Sequence, residues 1–296
     1  MSRVSLLIPA RNERFLSRTV QDVCEKARGD VEVLVVLDGA WADPPLLEDP
    51  RVRVWHVGVS RGMRPSINAA ASIATGDYLM KLDAHCLLTE GFDVTLASQC
   101  ADDWVVVPRR DRLDPIAWGL QVTGKPPIDA HFLSYPFERP EDPACGLHGT
   151  VWPQRARARV GVLLDEEMSS QGSCWFMSRR MWDRVIGPMD VAHYGSFINE
   201  FQEVGCKAWL SGGAVMVNKA VTYLHLHKGK TFGRGYPLSG SEQRRGSDYT
   251  TRYWMTDAWP DRARNLQWLI KRFSPVPGWP TDLDAAFHDA RRRLAA

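Results

Sequence analysis

The 296-residue sequence has no long apolar run: the first, Val4 to Pro9, covers six residues before charges resume. That is too short for a signal-peptide core or a membrane anchor, and no later segment is long enough to span a bilayer. Cysteine is sparse. Cys24, Cys86, Cys100, Cys145, Cys174 and Cys206 lie far apart with no C-x-x-C pair, which argues against a disulfide framework or structural zinc and fits reduced thiols in the cytosol. Neither sign of charge dominates, with 37 Lys+Arg against 35 Asp+Glu and a net charge of +2. A histone-like binder is excluded, and nucleic-acid contact has to come from a local basic patch. Glycine (23) and proline (19) are scattered and no repeat is present, which excludes collagen-like, low-complexity and wholly disordered chains.

What is present is a globular composition, 44% hydrophobic with twelve tryptophans. It suits one large α/β domain or one plus an appendage, the tryptophans serving a core or an aromatic-rich cleft. The first hundred residues alternate: strand patterns at Val4–Pro9, Val31–Leu37, Val52–Val57 and Tyr78–Leu82, helical spacing at Phe15–Ala27 and from about Pro65 to Ala74. Such alternation implies a mostly parallel sheet covered on both faces, with ligands bound at the carboxyl ends of its strands. The loops there are Ala10–Glu13, Asp38–Ala40 and Asp83–Cys86, and all carry polar or acidic groups. From Asp111 to Glu167 the pattern weakens into a long irregular excursion, of the kind that is usually functional. Order returns with a strand at Cys174–Met177, an amphipathic Arg179–Val185, a helix around Phe197–Trp209, a strand at Val215–Val217, and helices at Asp261–Phe273 and Asp284–Leu294.

Asp83-Ala84-His85, at the end of the fourth strand, offers a hard oxygen and a borderline nitrogen to an ion such as Mn²⁺, although an isolated strand-ending Asp is as readily a helix cap. The order of motifs resembles the family 2 glycosyltransferases and, more closely, the polypeptide N-acetylgalactosaminyltransferase branch of the GT-A fold. Ile8-Pro9-Ala10-Arg11-Asn12-Glu13 is similar to the family's first loop, Val35-Val36-Leu37-Asp38 to its uridine-contacting strand end, and Arg61-Gly62 through Gly76-Asp77-Tyr78 to its approach to the metal motif. The branch writes that motif D-x-H, as here. Gly172-Ser173-Cys174-Trp175-Phe176, Ile186-Gly187-Pro188-Met189-Asp190, Glu200-Phe201-Gln202-Glu203 and Lys207 to Gly213 continue the match, with Ser173 and Cys174 departing from the branch's glycines. His225 stands at the offset from Gly213 where the branch has its third metal ligand.

The resemblance implies an α/β GT-A transferase over residues 1–230, with a nucleotide-binding half (1–100) and an acceptor half (101–230), and a basic, aromatic C-terminal extension over 231–296. It implies a UDP-sugar donor bound by Pro9, Ala10, Arg11, Asn12, Glu13, Asp38, Arg61, Arg64, Asp83, Ala84 and Trp175. It also implies Mn²⁺ or Mg²⁺ on Asp83, His85 and His225, and Glu200 with Asp83 as the catalytic carboxylates. His225 and His227 point to opposite faces of an extended segment, so one of them faces the site. Taken singly, Asp38 is also a good turn residue, Arg61 and Arg64 good solvated arginines, and Glu200 a good helix-start acid. Phe201 stands where inverting relatives place the acceptor's base and cannot take a proton, which points to retention of anomeric configuration. The branch's membrane anchor and lectin module have no counterpart here, which turns the expectation towards a cytosolic acceptor. Arg155, Arg157 and Arg159, then Lys228, Lys230, Arg234, Arg244 and Arg245, with Phe232, Tyr236, Tyr249, Tyr253 and Trp254 between them, suit phosphate pairing and base stacking. With a resemblance to phage-type glycosyltransferases, this makes hydroxymethylated pyrimidine DNA a candidate acceptor, beside a protein, glycan or small molecule. The rival readings are a non-catalytic nucleotide-sugar binder on the same fold and a nucleotidyltransferase, whose glycine-rich phosphate loop Ile8–Glu13 does not match.

Overall fold

The computed structural model describes residues 2–138 and 146–295. Cys145 and the side chain of Lys230 lie outside what is described, and the other five cysteines are unpaired. The chain runs β1 (Val4–Ala10), α1 (Leu16–Lys26), β2 (Val31–Asp38), β3 (Val52–Val57), α2 (Met63–Ile73), β4 (Tyr78–Leu82), β5 (Cys86–Leu88), α3 (Phe92–Gln99) and β6 (Trp104–Asp114). The excursion that follows holds only short pieces, β7 (Gly119–Leu120), β8 (His131–Leu133), β9 (Gly149–Val151), α4 (Pro153–Ala158) and β10 (Leu164–Glu166). Then come β11 (Cys174–Ser178), α5 (Arg179–Met181) with a π turn over Trp182–Ile186, α6 (Val191–Tyr194), α7 (Glu200–Leu210) and β12 (Ala214–His225). The C-terminal part is helical: α8 (Gly229–Phe232), α9 (Gly240–Met255), α10 (Leu266–Phe273) and α11 (Leu283–Ala295).

Ten strands form one sheet in the order β10-β12-β6-β11-β4-β1-β2-β3, with β5 beside β12 and β7 beside β6. Strands β1 to β4 are parallel to their neighbours among themselves. Beyond them the sheet is mixed, because β11 runs against both β4 and β6 while β12 is parallel to β6. The expectation of a mostly parallel sheet therefore holds for the N-terminal half. In the second half the chain returns from β6 to β11 through the long irregular excursion instead of a helical crossover, and β11 pairs antiparallel on both sides.

Side-chain alternation along the strands sends Leu6, Ile8, Val33 and Val35 to one face and Leu7, Leu34, Val36 and Leu79 to the other. Helices α1 and α3 cover the first face. The second is covered by α2 and α7 and by Trp254, Met255, Leu266, Leu269, Ile270, Phe273 and Phe287 of the C-terminal helices, all in one apolar cluster with β1 and β2.

Candidate active site

The parallel strands β1, β2 and β4 end at the same edge, and the loops that leave them form one wall of a cleft of about 1110 Å³. The opposite wall is chain beyond β12, with His227, Lys228, Arg234, Tyr236 and Ser239. That covering segment is tied to the first loop. Asn12 donates its amide to the Gly235 carbonyl at 2.8 Å, Arg11 stacks on the Tyr236 ring at 5.1 Å, and Lys228 pairs with Glu13.

Asp83, His85 and His225 meet at the floor of this cleft. Strand pairing brings them together: β12 runs antiparallel to β5 with His225 opposite Cys86, so His225 lands one residue from His85. One ligand atom from each of the three lies within 4.8 Å of the others. Nε2 of His225 is 3.3 Å and Nε2 of His85 is 3.8 Å from Asp83 Oδ2. Burial lowers the His225 imidazole to about 4, so it is neutral at pH 7 and keeps a lone pair. Burial opposes the charge on Asp83, but Lys81 and the two histidines outweigh it and hold the carboxyl below its ordinary range. One carboxylate oxygen and two imidazole nitrogens in this arrangement fit a divalent transition ion. His227 also lines the cleft but stands outside the cluster.

Glu13 supports this group from behind. Its Oε2 lies 3.1 Å from His85 Nδ1 and accepts a hydrogen bond from Lys228. Lys81, on which the sequence reading placed no role, is wholly buried beneath Asp83 and bonds to it at 2.6 Å, to Glu200 at 3.2 Å and to the Gly172 carbonyl. The signal was there to be read: a lysine in the apolar run Tyr78-Leu79-Met80-Lys81-Leu82 at the centre of a sheet demands an anionic partner.

Glu200 opens α7 and is 5% exposed. It accepts the Trp175 indole N–H at 2.7 Å, and its carboxyl is raised mainly by burial. Trp175 is corrected by the structure: it is in the core, stacked on Trp182 at 5.7 Å, where it orients Glu200 and does not line the cleft. Arg64 is corrected too. It is fully buried, paired with Glu203 and bonded to the Ile198 carbonyl at 2.8 Å, with its guanidinium over Tyr194. It ties α2 to α7 and cannot reach a diphosphate. Arg61 is exposed and lines the cleft, as do Pro9, Ala10, Arg11, Glu13, Asp38 and Ala84, whereas Asn12 acts as the tether described above. Asp38 accepts from Arg61 N at 2.6 Å, Gly62 N at 2.9 Å and Ser60 Oγ at 2.6 Å, so it also organises the loop that starts α2.

The two basic clusters fare differently. Arg159 forms a bidentate pair with Asp165 at 2.7 and 3.0 Å and Arg155 packs on Phe273 and Trp152, while Arg157 is exposed; all three lie outside the cleft lining. Of the stacking candidates Trp254 is wholly buried and donates to Tyr194 Oη at 2.9 Å, and Phe232 packs edge-on against Phe15. Tyr249 stacks between His193 and Tyr253, which leaves Tyr236 as the member in the cleft.

The sheet order, the strand-end cleft and the D-x-H cluster together define a GT-A glycosyltransferase fold. Residues 5–182 match the glycosyl transferase family 2 domain, and the chain belongs to that family. It is 23% identical over 295 residues to a Drosophila melanogaster protein assigned as polypeptide N-acetylgalactosaminyltransferase 13, covering 91% of this chain and 50% of that one. It is 26% identical over 103 residues to glycosyltransferase GlyG of Streptococcus pneumoniae, covering 32% and 34% of the two chains. A crystal structure of GalNAc-T7 with UDP, GalNAc and Mn²⁺ superposes with a TM-score of 0.65 at 15% identity, over 99% of this chain and 55% of that one. The chain thus spans about half the length of the fly protein and of GalNAc-T7.

Proposed function

We propose that this protein transfers a hexose or N-acetylhexosamine from a UDP-sugar to an acceptor hydroxyl, with Mn²⁺ or Mg²⁺ held by Asp83, His85 and His225. The observation that carries the reading is the meeting of those three side chains, within 4.8 Å, at the floor of a cleft large enough for a nucleotide sugar. The ion, when bound, neutralises charge on the diphosphate leaving group, and the two nitrogen ligands favour Mn²⁺ over Mg²⁺. Exposed Arg61 and half-buried Arg11, both in the cleft, supply charge-assisted hydrogen bonds to phosphate oxygens. Asp38 has acceptor capacity left for a ribose hydroxyl or uracil N–H. The covering segment tied by Asn12 and Glu13 limits the entry of water.

Phe201 follows Glu200 and is 1% exposed in the core, so the place next to the catalytic carboxylate holds no base. This supports retention. The anomeric coupling in the product's proton NMR spectrum tests it: an α-linked donor is expected to give an α-linked product, and a β-linked product would refute retention.

For the acceptor, exposed Arg234 and the Tyr236 ring, both lining the cleft, support an anionic, ring-bearing partner. A 5-hydroxymethyl-pyrimidine in DNA has that chemistry and projects its hydroxyl into the major groove. Cysteine usage supports a cytosolic reaction. The test is transfer from labelled UDP-glucose, UDP-galactose and their N-acetyl forms to hydroxymethylated DNA, unmodified DNA, peptides and oligosaccharides. Label on modified DNA alone is expected; label confined to peptide or oligosaccharide rejects DNA and leaves the transferase reading intact.

A further inference from the structure

Lys81 is a cation with no access to solvent, and its three N–H donors meet three acceptors, Asp83 Oδ1, Glu200 Oε2 and the Gly172 carbonyl. The approach is close. A Cβ on Gly172 would stand 2.5 Å from Glu200 Oε2, so residue 172 has to be glycine for the carboxylate to come down on the ammonium. Glu200 is held at its other oxygen by Trp175. Asp83 is divided in the same way, with Oδ1 on Lys81 at 2.6 Å and Oδ2 towards His225 at 3.3 Å and His85 at 3.8 Å.

We propose that Lys81 is a positioning residue that confines Asp83 to a single-oxygen ligand and thereby sets which cation the site accepts, a compact Mn²⁺-type ion in preference to Ca²⁺. The inference rests on the metal reading above and deepens it. Ca²⁺ gathers six to eight oxygens at about 2.3–2.6 Å and commonly takes a carboxylate through both of its oxygens. With Oδ1 engaged by a buried ammonium, that chelate is closed, and the remaining oxygen with two imidazoles suits a smaller, more nitrogen-seeking ion. The same ammonium balances Glu200, so the two carboxylates stand near each other beneath the cleft without an ion to separate them.

The test measures binding, without donor or acceptor, on the full chain. Free Mn²⁺ is followed by electron paramagnetic resonance and Ca²⁺ by competition, for the wild type, Glu200→Gln, Lys81→Met and Lys81→Met/Glu200→Gln. The double variant removes one charge of each sign, which guards against unfolding by two uncompensated buried carboxylates, and near-ultraviolet circular dichroism checks its fold. Wild type and Glu200→Gln are expected to prefer Mn²⁺. Both Lys81 variants are expected to bind Mn²⁺ roughly ten- to a hundredfold more weakly, the usual effect of losing a group that orients a metal ligand, and to narrow the Mn²⁺ to Ca²⁺ ratio by at least about tenfold. An unchanged ratio in the folded double variant overturns the proposal, as does equal tightening for both ions, which would make Lys81 a mere repelling charge. Failure of the wild type to bind Mn²⁺ overturns the metal reading itself and with it this one.

Discussion

Arg61 and Arg64, three positions apart, have opposite fates. Arg64 turns inward onto Glu203 in the core, and Arg61 faces the cleft. Removing Arg64 leaves Glu203 with Lys207 and the Asp190 N–H as partners but deletes buried charge-assisted bonds to Glu203 and the Ile198 carbonyl, so Arg64→Met is expected to cost about 1.5–3 kcal/mol in urea unfolding. Arg61→Ala is expected to leave the unfolding midpoint within about 0.5 kcal/mol while raising the KM for the UDP-sugar. Equal stability of the two variants would contradict this division. The same pair shows what a sequence conceals. Asp83 and His85 are legible as a site because they are neighbours in the chain, whereas Arg64 and Glu203 are 139 residues apart and Lys228 and Glu13 are 215 apart. An arginine whose partner is that distant reads as a surface residue.

Among the elements, β3 and β4 were legible to the residue and β1 and β2 to within one, since short β-branched and apolar stretches bounded by turn residues leave little freedom. Strand β12 was legible only at Val215–Val217, although it runs from Ala214 to His225. Asn218, Lys219 and Ala220 break its apolar pattern where its register against β6 shifts. Helix α9 was missed altogether. Its two glycines, two serines and two threonines lower its helix propensity, but Trp254 and Met255 anchor it in the core and Ser239 caps it by accepting from Glu242 N at 3.2 Å. The edge strand β10 is pinned through Asp165, which pairs with Arg159 and lies near Arg155. Burial would raise the Asp165 carboxyl, but Arg159 and Arg155 outweigh it and hold it below its ordinary value. A lowered carboxyl contributes stability that is present above the unfolded-state value near 3.8 and fades as pH falls below it. Asp165→Asn is therefore expected to be less stable than wild type in urea at pH 7, and the gap to narrow progressively as pH falls below 3.8. A gap that stays constant as the pH is lowered would show that the ion pair is not its source.

At the scale of the molecule, the cleft lies where parallel strands end and a later segment folds back over them, so its strand-end wall and its cover come from distant parts of the chain. The C-terminal helices belong to this construction, since their apolar side chains complete the cluster that covers one face of the sheet. A chain ending at residue 239 is expected to lose the sharp near-ultraviolet circular dichroism of packed tryptophans and its cooperative unfolding; a truncated chain that retains both would show that the sheet is stable without those helices. The central claim is that Asp83, His85 and His225 couple a divalent ion to nucleotide binding. Isothermal titration of UDP into the wild type and into His225→Ala, with Mn²⁺ or with chelator, tests it most directly. The account predicts Mn²⁺-dependent binding by the wild type that weakens at least about tenfold in chelator and in the variant; UDP binding of the same strength in all four titrations would contradict it.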